Sequence, residues 1–122
     1  MQRTFTKRIA PFVEVELENA KQARSAGDPH QEFNHFERAH VLGQVSTYWH
    51  VMVHALMLLW AIRNGSAREA LGQVFRIIGA ATKTVFGLVP QGNTGGTNVS
   101  PVKKMPIAPD LAALIERAKS GV

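Results

Sequence analysis

A chain of 122 residues is long enough to bury a real core, and 45% hydrophobic against 19% charged residues is the composition of a globular protein. With no cysteine, disulfides, thiolate metal sites and thiol catalysis are excluded, so any metal must be held by His, Glu or Asp. The formal charge of +5 permits a nucleic-acid partner, yet apart from Lys103-Lys104 and Arg3/Lys7/Arg8 the basic residues are scattered, a weak electrostatic footprint, and no nucleic-acid partner is expected.

No apolar run follows the basic N-terminal residues, so no signal peptide is expected and the chain reads as cytoplasmic. The first predicted helix spans about Thr6–Ala26, with Ile9, Phe12, Val13, Leu17, Ala20 and Ala23 on one stripe at about 100° per residue. Glu16 falls in the middle of that stripe, while Glu14 and Glu18 fall opposite. A carboxylate there is costly unless it is paired or holds a cation. At AGDPHQEF, Gly27 suits the left-handed position that closes a helix; Asp28 caps the next, Pro29 opens it and Gln31 stands at the capping-box position. Helix 2, Pro29–Leu42, turns Phe33, Phe36, His40 and Gln44 inward, with Glu37 on the flank and His35 toward the surface.

Gly43 with Ser46 and Thr47 makes a break before helix 3, Thr47–Arg63. The uncharged run Val41–Ile62 has the length of a membrane span, but Gln44, Ser46, Thr47, Tyr48, His50 and His54 within it favour a helix buried in a bundle, with no stable membrane insertion. At RNGSAREAL the helix-boundary grammar recurs: Gly65 closes, Ser66 caps and Glu69 completes the box of helix 4, Ala67–Phe86. Its apolar stripe Leu71/Val74/Ile78 is read as the core face, with Glu69 outside it. The segment Gly87–Pro109 is too rich in Gly, Pro, Asn and Thr for regular structure. It is read as an ordered loop held by Val99, Val102, Met105 and Ile107, or as a lid over the inner polar residues. A short helix, Asp110–Lys119, ends the chain. The expected architecture is all-α, one domain over 1–122: a compact four-helix bundle of two helical hairpins (1–86), a long loop (87–109) and a short final helix (110–120).

Glu16, Glu37, His40, His50 and His54 can all face one interior. Glu37-x-x-His40 and His50-x-x-x-His54 place side chains on adjacent turns of one face, the spacings that helical metal sites use. The reading is a divalent-metal site (Zn, Fe, Mn, Ni or Cu), with the three histidines as main ligands and Glu16 and Glu37 as carboxylate ligand and outer partner, in either order. Storage, sensing and catalysis are equally open. A dinuclear carboxylate centre lacks a second Glu-x-x-His. Haem, with His50 or His54 as axial ligand near Met52 or Met57, is a weaker alternative. The rival from another class is a helical-hairpin interaction module in which the His and Glu residues form only a buried network. A small-molecule or protein partner, or a homo-oligomer, is left open.

At GDPHQEFNHFERAHVLGQ, HVMVHALML and GLVPQGNTGGTNVSPVKKMPI the chain resembles an uncharacterised family of small bacterial helical proteins, a domain of unknown function; the likeness covers about residues 20–110. The resemblance implies a small helical protein with no established activity and a setting near heavy-metal resistance functions. It brings no ligand assignments.

Overall fold

The two Gly-Asp/Ser boundaries do what their residue types dictate. Gly27 and Gly65 take left-handed φ angles of 74° and 70°, and Asp28 Oδ1 and Ser66 Oγ accept from the N–H groups of Gln31 (3.1 Å) and Glu69 (3.3 Å). Only this half of each capping box forms. The Gln31 side chain accepts from Asn34 instead, and the Glu69 carboxylate is engaged elsewhere, as shown below. In the computed structural model, which describes residues 2–83, 93–97 and 104–121, these boundaries separate α1 (Gln2–Ser25), α2 (Pro29–Gly43), α3 (Thr47–Arg63) and α4 (Ala67–Lys83), and α5 (Pro109–Ser120) follows. There is no strand among the described residues, and none of their helices is long and apolar enough to cross a membrane. Residues 84–92 and 98–103, with the expected end of helix 4 at Phe86 and the anchors Val99 and Val102, lie outside the described residues.

The fold is an all-α bundle of two hairpins, α1 on α2 and α3 on α4, joined through α2 against α3, with α5 laid across α1 and α2. Its apolar core comes from Ile9 and Val13 of α1, Phe36, Ala39 and Leu42 of α2, Trp49, Val53 and Met57 of α3, and Leu111 and Ile115 of α5. Ile107, ahead of α5, packs against the same core. Arg38 fastens these layers: its Nε donates to Glu16 Oε2 on α1 at 3.1 Å, and its Nη2 donates to Asp110 in the first turn of α5. At the opposite end of α2, the nearly inaccessible Glu32 accepts from both terminal guanidinium nitrogens of Arg63, Nη2 at 2.6 Å and Nη1 at 3.3 Å.

α4 departs from the expected arrangement. The stripe read as its core face points outward: Leu71 is 63% exposed, Val74 43%, Phe75 69% and Ile78 62%. The buried side of the helix carries Gln73 and Ala80, and among the described helices α4 packs against α3 alone.

The α2–α3 junction depends on close approach. A Cβ on Gly43 would lie 2.6 Å from Trp49 Cβ, while Ser46 caps α3 from the same turn and shares a 2.6 Å hydrogen bond with Thr6 Oγ1. Gly43→Ala should therefore lower stability by roughly 1–3 kcal/mol, the usual cost of overpacking. Urea unfolding of the variant checks this, and an unchanged midpoint would contradict the packing described.

Candidate metal centre

His40 sits in the last turn of α2, and His50 and His54 lie one turn apart at the start of α3. The tight turn after Gly43 folds α3 back so that all three buried rings meet. Ring centroids lie 4.8 Å apart for His40–His50, 4.7 Å for His40–His54 and 4.9 Å for His50–His54. One ring nitrogen from each histidine lies within 4.8 Å of the others.

The outer hydrogen bonds decide which way two of these rings point their lone pairs. His40 Nδ1 lies 2.6 Å from the backbone oxygen of Asn93. A carbonyl only accepts, so this nitrogen carries the proton and donates. His54 Nδ1 lies 2.6 Å from Gln73 Oε1, and the orientation of that amide is set because its Nε2 donates to Glu69 Oε2 (2.7 Å) and to Gly95 O (3.0 Å). His54 Nδ1 is therefore also a donor. In their neutral forms both histidines carry a lone pair on Nε2, and these two nitrogens face each other at 3.1 Å. Two acceptors at that distance repel unless a proton or a Lewis-acidic cation lies between them. A tetrahedral ion with metal–nitrogen bonds of about 2.0–2.1 Å spaces its ligand nitrogens by roughly 3.3 Å, close to the His40–His54 separation, while a nitrogen of His50 lies within 4.8 Å of both.

The segment 93–97 closes over this cluster. Gly95 has φ +87°, and a Cβ there would lie 2.6 Å from His40 Cδ2, so its backbone rests directly on the imidazole. Asn93 Oδ1 accepts from Gly95 N at 2.9 Å, and Thr97 Oγ1 donates to Glu69 Oε1 at 2.7 Å. This stretch is the part of the expected loop that the described residues show, and it is tied to α4 as well as to His40.

Of the five residues read from sequence as ligands, the histidines come together and the acids stay outside. Glu16 belongs to a different network: its oxygens receive Arg38 Nε and His35 Nδ1, the latter at 2.8 Å. That also corrects His35, which is half-buried against Glu16 rather than turned to the surface. A carboxylate in the core stripe is thus satisfied by an ion pair, and Glu16 does not join the three histidines. Glu37 lines a surface cleft of about 220 Å³ with His30, Phe33, Trp60 and Glu69. Burial, and then the nearby Glu69, raise its pKa, partly offset by a hydrogen bond with Thr94. Haem gains nothing from this geometry, since each imidazole faces the other two rather than a flat cavity. Gln73, Glu69, Asn93 and Gly95 were missed as site residues. For the first two the available signal was their i, i+4 spacing on the face of α4 opposite its apolar stripe.

The chain matches the family model described as "Protein of unknown function (DUF3703)" over residues 7–115. It belongs to that family. No curated protein and no solved structure matches it.

Electrostatically the triad is neutral. Burial and then His54 push His50 down to about 3; burial pushes His54 down to about 4, against the hydrogen bond to Gln73. His40 is held well below 6.5 by burial and then by His54 and His50. In the unfolded chain these imidazoles take up protons near 6.5 while the folded ones do not, so stability is full above that pH and is lost as pH falls toward about 4. The loss should total on the order of a few kcal/mol at about 1.4 kcal/mol per unit. Denaturant unfolding of chelator-treated protein at about pH 7.5 and about pH 5 measures it; equal stabilities would mean that the imidazoles are not buried in the neutral form.

Proposed function

We propose that this protein binds a divalent transition-metal ion through His40, His50 and His54. The observation that carries the reading is the pair of Nε2 lone pairs fixed face to face at 3.1 Å by donor bonds on the far side of each ring. Such outer bonds hold the tautomer and orientation that a ligand needs, and they raise its basicity. His50 supplies the third nitrogen. Three protein ligands leave one tetrahedral position open, for water or a small substrate. Glu69 reaches the site through Gln73 and offsets part of the ion's charge, with Glu37 in the outer ring beside it. An all-imidazole set favours Zn, Cu or Ni over Mn, which prefers oxygen ligands.

Elemental analysis and calorimetric titration of the tag-free protein test this. The expected result is close to one ion per chain in the wild type and none in a folded His50→Ala/His54→Ala variant. Failure of the wild type to take up Zn, Cu, Ni, Fe or Mn would overturn the proposal and leave the histidines as a structural network. Gln73→Leu keeps all three ligands but removes the support of His54, so metal affinity should fall roughly 10–100-fold with the stoichiometry unchanged.

A further inference from the structure

The outward face of α4 is built as a seam. Ala67, Leu71, Val74, Ile78 and Ala81 follow one another at steps of four, three, four and three, the a/d spacing of a coiled coil, with Phe75 beside them, and all six are exposed. The opposite side of the helix is committed: Gln73 is buried against the histidine cluster and Ala80 is buried. α4 adds nothing to the apolar core cluster, and among the described residues its one helical neighbour is α3. A helix with two contact faces and one filled is incomplete by itself.

We infer that a second copy of this chain covers that face, α4 against α4 across a two-fold axis. Both copies present the same apolar ridge, which is what an isologous interface requires. Leu71, Val74, Phe75 and Ile78 together expose on the order of 400 Å² of apolar surface, the size of the largest patch on a typical monomer, which is often functional. Doubled, it matches the apolar share of a standard interface, which takes roughly 800 Å² from each partner and is a little over half non-polar. A membrane surface fits less well. An interfacial helix flanks its apolar face with rows of Lys and Arg, whereas Arg68 is the one charge among the described exposed side chains of α4. This inference does not depend on the metal reading.

Sedimentation of the full-length protein over a concentration series tests it, with Phe75→Glu, Leu71→Glu and Val74→Cys beside the wild type and folding checked by circular dichroism. The wild type should be a dimer, and Phe75→Glu should raise the dissociation constant by more than about thirtyfold, as loss of a central hot-spot side chain does. Val74 lies midway along the ridge, so it meets its own copy in a parallel or an antiparallel pairing. The single thiol of Val74→Cys, in a chain without cysteine, should therefore close an intermolecular disulfide under mild oxidation. A wild type that stays monomeric at high concentration overturns the inference, and so does a monomer that instead sediments with phosphatidylglycerol vesicles. Dimers that survive both glutamate substitutions overturn it as well, by placing the interface elsewhere.

Discussion

The carboxamide of Gln73 is where three separate parts of the chain are made to agree. It accepts from His54 on α3, donates to Glu69 on its own helix and donates to the backbone of Gly95. Each of those bonds fixes something beyond itself. The first sets the tautomer of a buried imidazole, the second orients the amide, and the third brings the glycine backbone down onto His40. An isosteric apolar residue at this position would take the acceptor from the His54 Nδ1–H and the donor from the Gly95 carbonyl, and would leave Glu69 to Thr97 alone; each such loss at a buried group costs about 1–3 kcal/mol.

Away from that amide the protein pairs its inward carboxylates with arginines rather than with the three clustered histidines. Glu16 and Glu32, the carboxylates that helix geometry drives inward, are neutralised by Arg38 and Arg63. These pairs tie helices to one another and leave the histidine cluster free of formal charge. Burial then holds the imidazoles in the form that has a lone pair to give. On the proposed reading, a cation would meet the nitrogens of His40 and His54 already oriented, so little of its binding energy would go to rearranging them.

Much of this was legible in the residues themselves. Local grammar located the helix boundaries, because Gly27, Asp28, Gly65 and Ser66 act through bonds within a few positions. The i, i+4 spacing of His50 and His54 announced one shared face, and the turn signals at Gly43 and Ser46 set His40 of the preceding helix within reach of it. Two features were not legible. Glu16 finds Arg38 and His35 across helices, and no single-helix projection contains that partner. On α4 the period identifies an apolar stripe without saying which side of the helix is inside. Its polar side turns inward because histidines and a glycine-rich backbone wait there with unmet hydrogen bonds. Glu69 was hidden for a related reason: a glutamate three residues after a serine reads as a cap, and its carboxylate went to Thr97 and Gln73 instead.

The position of α4 at the flank also bears on dynamics. A helix resting on one helical neighbour, with no residue in the apolar core cluster, leaves that cluster intact when it lifts away, so its local opening requires less free energy than global unfolding. Its amides should therefore exchange with solvent through sub-global fluctuations while those of α1–α3 remain protected. The same fluctuation withdraws Gln73 from His54 and loosens Gly95 from His40. The interior cluster thus has a route to exchange its contents with water that leaves the apolar core intact, and anything that clamps α4 slows that exchange.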